Sequence, residues 1–268
     1  MAEARLILHR GAREVPRAAL ASIETPPPSR RWLPIGHEQV VSTVSEALAG
    51  MGLRVERERY ALSRDDARLF ATLDIAVEVT PDIRLAIGIR NSHDQSFPLG
   101  FCAGNRVAVC DNLAFSAELM VRRKHTRFGH DRFRDDIGTC VARLDAFRTA
   151  EAARIARMRE AELTDAQAES LILRSVYDQR IVSHRLILRL IEEWRQPPHE
   201  AFQPRTIWSL FNGFTSALAE RARSHPQAFA SATMKLQAFL LPKGGDGAAL
   251  TPPSASPDGT ASPEPSAS

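Results

Sequence analysis

The fold is decided by residues 83–126, which read IRLAIGIRNSHDQSFPLGFCAGNRVAVCDNLAFSAELMVRRKHT. Within them, the apolar run 85–89 is short and bounded by turn-forming residues, as is typical of a buried strand. It is followed by four polar residues, 91–94, of which Asn, Ser and Asp bond their own backbone and favour turns. This stretch therefore predicts a strand that ends in a polar turn.

Two further apolar runs, 99–103 and 107–110, follow the turn. Gly104 and Asn105 separate them and favour a hairpin, because both residue types tolerate positive φ. The polar pair 111–112 then ends the last run. Two polar clusters therefore lie at strand ends, a position where functional sites are often built.

The residues before this stretch predict one helix and two more strands. Apolar residues recur at helical spacing over 37–50, and Gly50 and Gly52 end the helix. Alternating apolar and polar residues over 53–60 and 68–79 predict two strands. Because the connections are too short for helical crossovers, we expect about five strands in a mostly antiparallel meander.

The residues after 128 show no strand-like alternation and predict helices. Thr164 and Gln167 have the spacing of a capping box. The predicted helices span 132–162 with a break at Gly138, 165–180, 183–194, 205–223 and 227–240.

The predicted fold class is α+β, with an N-terminal helix, an antiparallel sheet and a helical C-terminal half. We expect residues 1–31 to form an irregular arm, since they contain three consecutive prolines. We expect residues 32–242 to form one domain, with a sheet part at 32–127 and a helical part at 128–242. The tail, 243–268, has few apolar groups and is expected to be disordered.

Composition points to the cytoplasm. The chain has 268 residues and a net charge of only +3, and no apolar run is long enough to span a membrane. The start of the chain lacks the apolar core and cleavage site of a secretion signal. The three cysteines, Cys102, Cys110 and Cys140, are sparse and odd in number, which favours a reducing compartment.

Several separated motifs resemble the signature of one protein family. They read RNSHD, GNRV, VCDNLAF, RKHT and WSLFNGFT, in this order, and resemble DUF932 proteins over about residues 32–240. The resemblance implies a phage/plasmid-like protein of a mobile element, and it implies no mechanism because the activity of the family is unknown. The residues that carry it are Arg90, Asn91, Ser92, His93, Asp94, Cys110, Asp111, Asn112, His125 and Asn212.

Two kinds of chemistry are considered at the polar clusters. His93, Asp94 and Asp111 are candidates for acid–base catalysis on a nucleotide or nucleic acid, since a carboxylate could orient the histidine. The alternative is that these side chains cap turns. Motifs of known enzymes, such as a Walker loop or HExxH, are absent from the sequence. The chain is therefore expected to be a binding protein rather than an enzyme.

A metal site is not favoured, and we expect no cofactor. Cys102 and Cys110 lie eight residues apart within an apolar pattern, whereas structural zinc sites use short pairs. The candidate metal ligands that we considered are His93, Asp94, Cys102, Cys110, Asp111, His125 and His130.

The strongest charge feature is the stretch 122–134, which has six Lys or Arg and two His against one Asp. Cations interleaved with an aromatic residue are what a nucleic-acid backbone with unpaired bases attracts. The candidate binding residues, called the basic run below, are Arg122, Arg123, Lys124, Arg127, Phe128, Arg132 and Arg134.

The leading hypothesis is single-stranded DNA binding, in the form of annealing or recombination on a mobile element. Annealing proteins with a β-hairpin sheet backed by a helix assemble into rings, so the analogy implies a homo-oligomer. The alternatives are an enzyme that uses the histidine–aspartate cluster, a structural protein whose basic face meets an acidic partner, and a solvated helix start partly neutralised by Asp135 and Asp136.

Overall fold

Six antiparallel strands form one sheet in chain order. The structure, a computed structural model, describes residues 12–29, 31–107, 113–224 and 226–241. Each strand pairs with the next one along the chain, so the sheet is a meander. The strands are β1 (Arg13–Val15), β2 (Val55–Leu62), β3 (Arg68–Thr80), β4 (Ile83–Ser92), β5 (Leu99–Val107) and β6 (Leu113–Arg123).

Eight α-helices are found in the described part of the chain, and six of them follow the sheet. None of the described helices is long and apolar enough to cross a membrane. The antiparallel sheet followed by helices confirms the predicted α+β class. The helices are α1 (Arg17–Ala21), α2 (His37–Gly50), α3 (Gly129–Ala142), α4 (Leu144–Glu160), α5 (Asp165–Tyr177), α6 (Ile187–Arg195), α7 (Ile207–Ser224) and α8 (Pro226–Leu240), with 3-10 turns at His184–Leu186 and Glu200–Phe202.

The two faces of the sheet have different neighbours. Successive side chains of a strand point to opposite faces, so Asn91 and Arg90 of β4 face opposite ways. The face of Asn91, here the inner face, meets α2 and α4 and carries buried residues such as Leu73 and Ile87. The face of Arg90, the outer face, is partly covered by α8 near β6.

Two predicted helical features are confirmed. Helix α2 has the predicted bounds, His37–Gly50. The capping box of α5 is present, because Gln167 N donates to Thr164 Oγ1 at 3.3 Å and Gln167 Oε1 accepts from Thr164 N at 2.9 Å. The helix ends at Tyr177, three residues earlier than predicted, and Arg180 has a φ of 50°.

The predicted hairpin at Gly104 and Asn105 is wrong, since both residues lie inside β5 and pair with Ala86 and Leu85 of β4. A Cβ at Gly104 would lie 2.2 Å from the Ala114 carbonyl oxygen, so the glycine permits close contact with β6 rather than a turn. Strand β6 was not predicted.

Two other expectations need correction. The arm 1–31 is not wholly irregular, because β1 adds an edge strand to β2 and is followed by α1. The predicted break at Gly138 falls instead at Arg143, between α3 and α4. No atom outside the helix lies within 4 Å of the Cβ position of Gly138, so this glycine costs only about 1 kcal/mol of helix stability. The tail 243–268 lies outside the described residues.

Candidate functional site

A buried histidine cluster joins the ends of β4 and β6 to α2. It consists of His37, Asn91, His93 and His125, each at most 7% exposed. The amide Nδ2 of Asn91 donates to the Ile35 carbonyl at 2.7 Å and to His37 Nδ1 at 3.0 Å. Its Oδ1 accepts from His125 Nε2 at 2.8 Å. Both N–H groups of the Asn91 side-chain amide therefore donate to partners inside the protein.

Bonds at both ring nitrogens fix the tautomer of His37. Because His37 Nδ1 accepts from Asn91, its proton is on Nε2, which donates to the Asp66 carbonyl at 3.0 Å. His93 Nε2 donates to the Ile35 carbonyl at 2.9 Å, and its ring stacks on His37 with centroids 3.9 Å apart. The acceptor role of its Nδ1 requires a neutral imidazole at His37.

Burial keeps these imidazoles neutral. Burial, assisted by the neighbouring His93, lowers the pKa of His37 to about 4. The same two causes lower the pKa of His125 to about 4, and burial also lowers the pKa of His93. The cluster is therefore uncharged at neutral pH and holds chain segments together.

The proposed catalytic group is not assembled among the described residues. His93 Nε2 bonds a backbone carbonyl, whereas Asp94 accepts from Arg68 Nε at 2.6 Å and from Ser96 N at 3.0 Å. Asp94 thus caps the turn, as the alternative reading expected. Asp111, the third candidate, lies outside the described residues, as do Cys110 and Asn112.

The residues considered for a metal site are dispersed. His130 Nε2 donates to Thr43 Oγ1 at 3.2 Å, and His125 belongs to the histidine cluster. Burial raises the pKa of Cys102, on the outer face, to about 12, so this thiol is protonated. Among residues 12–241 as described, no group of three His, Cys, Asp or Glu side chains is arranged to hold a metal ion.

The basic run extends from the end of β6 into α3. Two of its members have carboxylate partners: Arg123 pairs with Asp136, and Arg134 is 3.5 Å from Asp131. No described carboxylate forms an ion pair with the other cations of the run, which are Arg122, Lys124, Arg127 and Arg132.

An exposed aromatic ring lies among these cations. Phe128 is 56% exposed, and the guanidinium of Arg127 lies 5.6 Å from its ring centroid. A large apolar side chain at this exposure is not held by core packing. It gives the basic run a surface on which a planar group can stack.

A groove on the outer face was missed by the sequence reasoning. We call it the outer groove: a cavity of about 380 Å³ between the sheet and α8. The only sequence signal was an arginine, Arg90, at the end of an apolar strand, and it was assigned to the family motif without a role. The residues used below that line the groove are Phe70, Arg90, Phe97, Gly100, Met120 and Arg122.

The C-terminal motif lies elsewhere. Asn212 and Thr215 line a small cavity of about 10 Å³ together with Asn105 and Glu151. Asn105 pairs with Leu85, six residues from Asn91 along β4, which is about 20 Å at the rise of a strand. The C-terminal motif is therefore too far from the turn 91–94 to form hydrogen bonds with it.

This small cavity contains buried polar groups. Asn105 Nδ2 donates to Glu151 Oε2 at 2.5 Å, and Arg154 also bonds Glu151. Burial raises the pKa of Glu151, although Arg154 opposes this. Asn105 Oδ1 has no partner among the described residues. The cavity has room for about one water molecule, so it excludes a substrate.

Fold and sites together define an α+β protein with a meander sheet, a closed histidine cluster on one face and an arginine-lined groove on the other. The chain belongs to the DUF932 family, described as a domain of unknown function, whose model matches residues 27–240. The resemblance seen in the sequence is thereby confirmed. Searches of curated proteins and of solved structures found no match.

The family motif RNSHD is divided between the two faces. Arg90 lines the outer groove, whereas Asn91 and His93 belong to the histidine cluster. Ser92 Oγ donates to the Phe97 carbonyl at 2.7 Å and closes the turn that follows. One short motif therefore supplies both a structural junction and part of the lining of the outer groove.

Proposed function

We propose that the protein binds single-stranded nucleic acid through the basic run. The observation that carries this proposal is the exposed ring of Phe128 beside Arg127, surrounded by cations that lack described carboxylate partners. Phosphates attract such cations, and an unpaired base can stack on an aromatic ring or a guanidinium plane. Duplex DNA hides its base faces, so the exposed ring favours a single strand.

Single-strand annealing or recombination on a mobile element is the specific form that we propose. The basis for this form is the genetic setting that the resemblance of the sequence motifs implies. By fold-level analogy, the meander followed by helices is similar to the element order of ring-forming annealing proteins, and this analogy is the basis for proposing a homo-oligomer. The enzyme alternative is less favoured, because His93 and Asp94 each bond other groups.

The test is a titration of fluorescently labelled oligo(dT) at several salt concentrations. Each phosphate contact contributes about 0.7 to the slope of log affinity against log salt. Replacing both Lys124 and Arg127 with Gln should flatten the slope by about 1.4, which is two such contacts. Phe128→Ala should weaken binding by about 1–3 kcal/mol and leave the slope unchanged.

Arg123→Gln is the matched control, since Asp136 already neutralises that arginine. It should change the slope less than either unpaired cation does. Absence of salt-dependent binding to single-stranded DNA and to RNA would overturn the proposal. Binding to an acidic protein without binding to nucleic acid would favour the structural alternative.

A further inference from the structure

The outer groove brings two arginines together on the outer face. Arg90 of β4 pairs with Gly100 of β5, which in turn pairs with Arg122 of β6. A Cβ built on Gly100 would lie 2.6 Å from Arg90 Nε and 2.7 Å from its Cγ. The side chain of Arg90 therefore crosses the glycine towards Arg122, and the missing side chain makes this path possible.

These two arginines differ from the other arginines of the same face. Arg57 and Arg106 each contact Asp74 at 2.7 Å, and Arg84 pairs with Glu56. In the described part of the chain, no carboxylate forms an ion pair with Arg90 or Arg122. Among the described residues, the groove therefore holds two adjacent positive charges without a paired anion.

The surroundings make this arrangement costly unless an anion binds. Burial and the neighbouring Arg122 lower the pKa of Arg90, because both disfavour its charge. Its guanidinium is held 5.4 Å from the ring centroid of Phe97. Two positioned guanidinium groups are suited to bidentate binding of a phosphate.

Most of the remaining lining is apolar or aromatic, and Thr72, Ser96 and Ser231 add hydroxyl groups. Phe70 and Phe97 contact each other edge to face with centroids 5.4 Å apart, and Met120 lies in the lining with them. A volume of about 380 Å³ falls in the range of small-molecule sites. The occupant thus needs an anionic end and a flat apolar body of limited length.

We propose that the outer groove binds a nucleotide, with its phosphate between Arg90 and Arg122 and its base against Phe97 and Phe70. The inference deepens the proposed function and rests on it where the nucleotide is a unit of a bound strand. Arg122 belongs to both the groove and the basic run, so a strand on the basic run can reach the groove. A free nucleotide presents the same chemistry.

The test is calorimetric titration of the full chain with dAMP, with deoxyadenosine and with inorganic phosphate. We expect dAMP to bind more tightly than either part alone, because the site contacts both parts. Arg90→Gln should weaken dAMP binding roughly ten- to hundredfold, as expected for the loss of a bond to a charged group. Arg84→Gln, on the same strand and face but paired with Glu56, should leave it unchanged.

Gly100→Ala keeps both arginines and tests their placement. Its methyl group would occupy the path of Arg90, so dAMP binding should fall. The far-ultraviolet circular dichroism and the salt-dependent binding of oligo(dT) to the basic run should persist. If dAMP does not bind but Arg90→Gln weakens oligo(dT) binding and Arg84→Gln does not, the groove is a subsite for a strand, and the inference is supported.

If Arg90→Gln affects neither ligand, the inference is overturned, while the effects of the Lys124 and Arg127 variants still decide the proposed function separately. Conversely, dAMP binding that depends on Arg90 in a protein that binds no strand would retain the groove and reject the proposed function. Equal affinity for dAMP and inorganic phosphate would overturn the assignment of the base to Phe97 and Phe70.

Discussion

The histidine cluster and the outer groove are built from neighbouring residues of one strand, yet they differ in how their polar groups are satisfied. Asn91 points to the inner face, where its amide bonds three partners within the protein. Arg90, one residue earlier, points to the outer face, where no described carboxylate pairs with it. A buried polar group with all its partners supplied stabilises the fold, whereas a charge without one is available to a ligand.

The two regions are also mechanically connected. The bond from His125 to Asn91 joins β4 to the residues after β6 and spans β5 between them. Arg90 and Arg122 lie near the same ends of β4 and β6. We infer that the histidine cluster fixes the strands that carry the two arginines of the groove.

The largest expected effect is a loss of stability in acid. Unfolded histidine binds a proton near pH 6.5, whereas the pKa values of His37 and His125 are about 4 in the folded chain. Between these values the unfolded chain binds more protons, so the free energy of unfolding falls as pH falls. From pH 7 to pH 5 we expect a loss of about 2 kcal/mol for each of these histidines, measured by urea unfolding.

His37→Gln should reduce that loss by about 2 kcal/mol, because one group no longer titrates. The reference is the wild-type protein, unfolded in urea at the same two pH values. If the free energy of unfolding did not change between pH 7 and pH 5, the histidines of the folded cluster would tolerate protonation. The cluster would then no longer differ from the outer groove, which holds charged side chains.

The next largest effect is expected from Asn91→Ala. The substitution leaves His125 Nε2 and His37 Nδ1 without their partner, while the Ile35 carbonyl keeps its bond from His93. At about 1–3 kcal/mol for each unsatisfied buried group, the free energy of unfolding in urea should fall by about 3 kcal/mol.

Asp94→Ala is the control for this variant, since Asp94 is an exposed neighbour that caps one backbone N–H and pairs with Arg68 at the surface. Its cost should be about 1 kcal/mol. Equal losses in the two variants would mean that the buried network contributes no more than an ordinary turn cap, so the cluster would not be the junction inferred here.

The sequence alone was sufficient where local patterns determine structure. Helical spacing located α2, and alternation located β2 and β3. The basic run and its aromatic residue were also visible, because exposure of charged residues needs no knowledge of tertiary contacts.

The sequence was insufficient where distant residues meet. The contact between His37 and Asn91 spans 54 residues and depends on how α2 packs on the sheet. The middle of the strand of Arg90, residues 85–89, is apolar on both faces, so its pattern does not reveal which side a residue faces. Gly104 looked like a turn residue, but it is required by the close approach of β6, which no local pattern encodes.

The smallest effect on stability, and the sharpest test of the contrast, is expected from Arg122→Gln. Arg122 is exposed and has no described ion pair, and its positive charge repels the positive charge of Arg90. The free energy of unfolding without ligand should therefore change by less than about 0.5 kcal/mol.

A saturating nucleotide should separate the stabilities of the wild-type protein and the Arg122→Gln variant. At a hundred times its Kd, dAMP should stabilise the wild-type protein by about 2.7 kcal/mol. At the same concentration the variant should gain much less, because it has lost one of the two phosphate contacts. Urea unfolding of both proteins with and without dAMP measures the four values. A loss above 1 kcal/mol in the ligand-free variant would show that Arg122 stabilises the fold, and the outer groove would then be of the same kind as the histidine cluster.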